Sequence, residues 1–189
     1  MNIFLETDRL ILRRLTESDS DHLFELDSDP DVAKFATRDG QPTPYDMIQE
    51  MVLPKMLKCY EMYESYGFWV AIEKSSNQFI GWFHLRPGLE SPAFDDPCEV
   101  ELGYRLKKLA WGKGYATEGS RALVRKGFCE LNTQRITATA LVANTASIRV
   151  MQKTGLRFER YFTETRCTYG DQPAVKYSLD TVEFNLDEY

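Results

Sequence analysis

Residues 98–118, Cys98-Glu99-Val100-Glu101-Leu102-Gly103-Tyr104-Arg105-Leu106-Lys107-Lys108-Leu109-Ala110-Trp111-Gly112-Lys113-Gly114-Tyr115-Ala116-Thr117-Glu118, hold the residue types best suited to gripping an anion. Gly112 and Gly114 carry no side chain to hold other atoms off the backbone, so an anion can come close to its N–H groups. The first N–H groups of a helix starting there lack partners, and the helix dipole adds positive charge, which makes phosphate a natural occupant. From Gly103 to Cys129 seven basic residues (Arg105, Lys107, Lys108, Lys113, Arg121, Arg125, Lys126) stand against one acidic residue, Glu118, in a chain of net charge −6. The same G-x-G also fits a plain strand-to-helix turn with solvated lysines, and such short patterns are common.

A cradle of this kind needs a strand before it and a helix after it. Val100, Leu102, Tyr104 and Leu106 alternate with Glu99, Glu101, Gly103 and Arg105, the period of a strand with one apolar face. After Gly114, Leu123, Val124, Phe128 and Leu131 fall at helical spacing, with Arg121, Arg125 and Lys126 turned outward. Upstream, Leu10, Leu12 and Leu15 mark a first strand. Thr16 then caps a helix whose apolar side is Leu23, Phe24 and Leu26, and Asp29-Pro30 ends it. Residues 36–45 read as a loop into a second helical region, about 46–65, broken or kinked by Pro54. Strands are predicted at 68–73 and 79–85 around the Ser75-Ser76-Asn77 turn, with a bend or bulge at Gly81 and with Trp82 and Phe83 on opposite faces. Residues 86–97, with three prolines, read as an exposed loop. Beyond the central helix, a strand at 135–142 leads to Asn144, which is placed to cap a helix closed by Gly155. Two last strands, 156–164 and 174–184, flank a turn at 169–173.

Taken together, Gly103-Tyr104, Trp111-Gly112-Lys113-Gly114-Tyr115-Ala116-Thr117-Glu118, Asn144-Thr145-Ala146-Ser147 and Lys153-Thr154-Gly155-Leu156-Arg157-Phe158 resemble the GNAT superfamily of acetyl-CoA-dependent N-acetyltransferases. The opening Thr7-Asp8-Arg9-Leu10-Ile11-Leu12-Arg13-Arg14-Leu15 looks like its RimJ/RimL-like branch, which contains ribosomal-protein N-terminal acetyltransferases. The resemblance spans nearly the whole chain. It implies a single α/β (α+β) domain over residues 1–189, with a central, mostly antiparallel sheet splayed at its middle and flanked by helices. It also implies acetyl-CoA as donor and a primary amine as acceptor, most simply a protein N-terminus. A small-molecule amine, or a non-catalytic acyl-CoA-binding module, is the alternative.

The resemblance further implies that backbone groups at Leu102, Tyr104 and Leu106 align the pantetheine arm. The N–H groups around Leu109, Trp111, Gly112, Lys113, Gly114, Tyr115, Ala116 and Thr117 would hold the pyrophosphate. The superfamily often has Gln or Arg where Leu109 stands, which weakens the motif more than a mechanism built on main chain. Asn144 and Lys153 are further cofactor contacts, Asn144 doubling as a helix cap. Phe35 and Tyr45 would border the acceptor groove.

Glu101 is the first candidate for a base, on the less apolar face of the strand beside Gly103, where burial would raise its pKa toward the working range. The alternative is a surface carboxylate paired with Arg105, and Glu99 is the reserve. The superfamily's usual acid position, seven residues beyond Asn144, holds Met151, which has no proton to give. In the RimJ/RimL-like branch Ser147 has the better claim as acid, beside its simpler reading as a helix-start hydroxyl. An α-amine, with pKa roughly 7.7–8.0 against about 10.4 for lysine, needs little help from a base.

The acidic balance argues against a general nucleic-acid or anionic-membrane binder. Cys59, Cys98, Cys129 and Cys167 are dispersed, without C-x-x-C, and read as reduced thiols. With no signal pattern and no bilayer-length apolar run, a soluble cytoplasmic protein is expected, as monomer or homodimer. His22 and His84 form no metal-ligand cluster, so no metal is expected. G-x-x-x-x-G-K-[ST], G-x-S-x-G and Rossmann patterns are missing.

Overall fold

The alternation at residues 99–106 becomes strand β5 (Glu99–Leu106) in a computed structural model that describes residues 2–88, 93–94 and 96–188. Around it lie β1 (Ile3–Glu6), β2 (Leu10–Arg14), β3 (Gly67–Glu73), β4 (Gln78–Pro87), β6 (Arg135–Leu141), β7 (Arg157–Glu164) and β8 (Gln172–Asp180). They form one sheet in the order β1-β2-β3-β4-β5-β6-β8-β7. The β5–β6 pair is parallel and the other six are antiparallel. This is the mixed, mostly antiparallel sheet expected of a GNAT-like α/β chain.

Helices cover both faces, so β3 and β4 carry apolar residues on both sides, whereas β5 keeps one polar face. On one face α5 (Tyr115–Cys129) and α6 (Thr145–Lys153) bury Leu123, Val124 and Met151 against Phe83, Leu85, Leu102 and Leu106. On the other, α1 (Ser20–Asp27), α2 (Pro30–Ala36) and α4 (Leu53–Met62) bury Leu23, Leu26, Val32, Leu53 and Met56 against Val70, Ile72, Phe79 and Trp82. Trp82 and Phe83 thus serve opposite layers, and a register shift where β4 meets β3 places the bulge beside Gly81.

Several boundaries differ from expectation. Strand β1 was not legible, Phe24 points outward at 37% exposure, and Asp29-Pro30 starts a helix as well as ending one. Asp29 accepts from the Asp31 N–H and Pro30 occupies the first turn of α2, where its missing donor costs nothing. The second helical region begins at α3 (Tyr45–Met47) and widens into a π turn, Ile48–Val52, before α4. Pro54, lacking an N–H and crowding the carbonyl four residues back, accounts for the widening. Of the 86–97 loop, Arg86 and Pro87 belong to β4, Ala93 is fully buried, and residues 89–92 and 95 lie outside the described residues.

The start of α1 is held by Asp19, 1% exposed, which takes two hydrogen bonds from Arg13 (2.8 and 2.5 Å) and one from the Thr16 N–H (2.8 Å). Burial acts to raise its carboxyl, but the bonds from Arg13, Thr16 and His22 outweigh it and hold it at about 2. Because the folded pKa lies below the unfolded one, this stabilisation is present above the ordinary carboxylate range and lost as pH falls toward 2. Asp19→Ala is expected to lower stability by about 2 kcal/mol at neutral pH, read from urea denaturation, with the deficit shrinking in acid. An equal deficit at both ends of that range would show that the pair is not its source.

Candidate active site: an open strand edge meeting a glycine turn

Strands β5 and β6 pair only through Glu99–Arg135, Val100–Ile136 and Glu101–Thr137. Past Glu101 the ladder stops, although β5 continues to Leu106, held by β4, and β6 to Leu141, held by β8. The sheet is therefore split at its centre, and the β5 edge from Leu102 to Leu106 faces the gap. The Leu102 and Leu106 side chains are buried in the α5 layer, so only their main chain is available there.

Strand β5 runs directly into the glycine turn. Gly112 and Gly114 take φ of 72° and 85°, and Gly114 caps α5. The N–H groups of Tyr115, Ala116 and Thr117 open the helix and have no intrahelical partner. A Cβ on Gly112 would meet nothing within 4 Å, so the turn is open to an approaching group. Leu109 and Trp111 are 62% and 46% exposed beside it, the Trp111 indole N–H donating to the Leu106 carbonyl (2.8 Å). Lys113 is exposed, whereas the Tyr115 ring is buried and its hydroxyl bonds to Glu73, leaving only its N–H to the turn. Lys153 ends α6 away from the turn, its carbonyl accepting from Arg121 Nε (3.0 Å) six residues into α5. The turn and the free β5 edge suit a pyrophosphate joined to an extended arm.

On the opposite face, Glu101 contacts Arg86 Nη2 at 2.6 Å and His84 Nε2 at 3.5 Å. The His84 ring lies over Gly103, where a Cβ would come within 2.6 Å of it, so only glycine fits this close approach. Burial pushes His84 down toward its neutral form, against the pull of Glu101. Burial alone would raise the Glu101 carboxyl, but the His84 bond and the charges of Arg86 and Arg166 outweigh it and hold it at about 2. The shift is the reverse of the one expected from burial, because a strand pattern does not reveal arginines contributed by other segments. Nor does Glu101 pair with Arg105, which binds Asp27 (2.5 Å) and the Ala36 carbonyl (2.7 Å). Glu99 is buried in a structural network with Lys176 (2.7 Å) and Arg135 (3.3 Å). Phe35 and Tyr45 are each 37% exposed, the Tyr45 hydroxyl donating to Asp21 (2.7 Å).

Asn144 caps α6 as expected, its Oδ1 accepting from the Ser147 N–H (3.2 Å). Met151 is buried in the α5 layer. The Ser147 hydroxyl meets the phenol of Tyr104 from β5, whose pKa burial raises and this contact lowers in part, with a net upward shift that keeps the phenol protonated. This contact was not legible in the sequence, since the two residues come from a strand and a helix separated by α5 and β6.

Residues 9–157 match the model of an acetyltransferase (GNAT) domain. The FsC-acetyl coenzyme A-N(2)-transacetylase of Aspergillus fumigatus is 31% identical over 185 residues, covering 95% of this chain and 77% of that protein. The fold is shared with a GNAT-family acetyltransferase from Bacillus anthracis (24% identity, TM-score 0.80, 97% and 100% of the two chains). It is shared too with AAC(6')-Ib in complex with paromomycin and acetyl-CoA (23% identity, TM-score 0.76, 95% and 98% coverage). The split sheet, the glycine turn and this family match agree: the chain belongs to the GNAT family, as an N-acetyltransferase with acetyl-CoA as its donor.

Proposed function

We propose that the acceptor is an α-amine, in the first instance a protein N-terminus, and that the whole chain acts as one domain for this reaction. The observation that carries the reading is the clamped state of Glu101. A carboxylate held at about 2 by its neighbours is a poor sink for an ammonium proton, so the acceptor has to arrive with an accessible neutral form. An α-amine at roughly 7.7–8.0 does so near neutral pH, while a lysine amine at about 10.4 does not. A RimJ/RimL-like affiliation fits the 7–15 segment and the Asn144-x-x-Ser147 pattern. Four cysteines outside any disulfide fit a reducing compartment such as the cytoplasm, and among the described residues no helix is long and apolar enough to cross a membrane.

The turn N–H groups at Gly112, Gly114, Tyr115, Ala116 and Thr117 would hold the pyrophosphate, and the β5 edge at Leu102–Leu106 would align the pantetheine arm. Bound acetyl-CoA supplies the acetyl group as a thioester. Glu101 draws the amine to the acceptor face and orients it. Ser147 would donate its proton to the departing sulfur and recover one from the Tyr104 phenol, protonated at rest; water would carry the proton shed by the attacking amine back to that phenol, so that amide and CoA–SH leave with no net change in protons. Ser147→Ala and Tyr104→Phe are each expected to slow single-turnover acetyl transfer about tenfold at unchanged acetyl-CoA affinity. Wild-type rates would leave Ser147 with its place in the helix start alone.

A small-molecule α-amine is the second reading, favoured by the name of the Aspergillus fumigatus relative, which specifies transfer to N(2). Coenzyme A release with a panel of acceptors tests both. Free-N-terminal peptides and small amino-acyl amines are expected to turn over, and Nα-blocked lysine peptides are not. Comparable kcat/KM on blocked peptides would overturn the α-amine assignment, and acetyl-CoA binding without amine-dependent release would favour a non-catalytic module.

A further inference from the structure

The turn between β1 and β2 packs against the glycine turn, 104 or more residues away in sequence. Arg9 Nε donates to Glu118 Oε2 (2.6 Å), its main-chain N–H to Glu118 Oε1 (2.9 Å), and its Nη1 to the carbonyl of Lys113 (2.9 Å). The guanidinium lies 4.4 Å from the centre of the Tyr115 ring. Thr7 adds a hydroxyl bond to Glu118 (2.5 Å), and the β3–β4 turn braces the arrangement, with the Lys74 N–H on the Arg9 carbonyl (2.8 Å) and Lys74 Nζ on the Thr7 carbonyl (2.6 Å).

We propose that Arg9 is the positioning residue of the phosphate cradle, fixing the Lys113–Gly114 peptide so that its N–H faces the cofactor. This rests on the reading that the glycine turn holds the pyrophosphate of acetyl-CoA. Across a trans peptide the C=O and N–H point in opposite directions. Holding the Lys113 carbonyl on Arg9 therefore aims the Gly114 N–H the other way, into the turn. That peptide runs into Gly114, whose positive φ no side chain restricts, and Gly112 loosens the turn one residue earlier, so an outside hold is what sets it. Arg9 has a second effect. Glu118 is a carboxylate in the first turn of α5, where it would repel an incoming diphosphate, and the fork of Arg9 neutralises it.

Calorimetric titration with free CoA and with adenosine diphosphate, on wild type, Arg9→Met and Arg9→Lys, tests the role without relying on activity. Wild type is expected to bind CoA. Both variants should bind CoA and the diphosphate about tenfold more weakly, the lysine variant included, because one ammonium cannot hold Glu118 and the Lys113 carbonyl together. S-acetylpantetheine, a donor without the pyrophosphate, should keep its kcat/KM in both variants, a split that general loosening of the fold would not produce. If Arg9→Met does not fold, Arg9→Lys carries the comparison. Wild-type CoA affinity in a folded Arg9→Lys variant, or an equal loss with S-acetylpantetheine, overturns the role of Arg9 alone. Failure of the wild type to bind CoA removes the cradle reading, and the role of Arg9 with it.

Discussion

Gly114→Val is expected to raise the Kd for acetyl-CoA by about a hundredfold or more in a protein that still folds. Gly114 sits at φ 85°, a conformation costly for a β-branched residue, and its added Cβ would stand 3.3 Å from Arg9 Nη2. Relief is possible only by rotating the turn, which moves the N–H groups that the anion needs. The valine methyls would also occupy space next to the first N–H groups of α5. Gly170→Val, at φ 105° in the turn before β8 with nothing within 4 Å of its Cβ, carries comparable backbone strain far from the cradle. It should leave the Kd unchanged. Equal affinity of Gly114→Val and wild type would sink the phosphate-cradle assignment.

The contrast between these glycines shows what local sequence can reveal. A G-x-G after an alternating strand is a local signal, and β5, the turn and α5 followed from it. The capping of α6 by Asn144 was legible for the same reason, since its partner is three residues away. Signals failed where one residue type serves two purposes. Asp29-Pro30 suits the end of α1 and the beginning of α2 equally, and only the Asp29 to Asp31 hydrogen bond distinguishes them. Strand β1 is short and lies at the sheet edge with two of its four residues exposed, so it lacks a full apolar period. Electrostatics was the least legible. Arg86 reaches Glu101 from β4; Arg166, bonded to Glu164, acts on Glu101 through its charge from the segment after β7; and Arg9 reaches Glu118 across 109 residues. Periodicity assigns faces, but it does not tell which charges from other elements share them.

Those charges give Glu101→Gln its expected result: a fall of about a hundredfold in kcat/KM for the amine, with acetyl-CoA affinity nearly unchanged. The carboxylate is the negative charge beside the Arg86 guanidinium (2.6 Å), so its neutralisation makes the acceptor face more positive and less favourable to an ammonium. The glycine turn lies beyond the end of β5 and feels little of this. The pH profile separates attraction from proton abstraction. Because the Glu101 carboxyl is held at about 2, it is ionised throughout the range in which the protein can be assayed and contributes no limb of its own. The rate should instead rise through the pKa of the acceptor, roughly 7.7–8.0 for an α-amine, in wild type and variant alike, with only the plateau lowered. A wild-type limb between the usual carboxylate range and neutrality that disappears in Glu101→Gln would mean that Glu101 takes the proton itself. That outcome would require the bound acceptor and donor to displace Arg86 and raise the carboxyl by several units, and it would remove the reason for preferring α-amines over lysine.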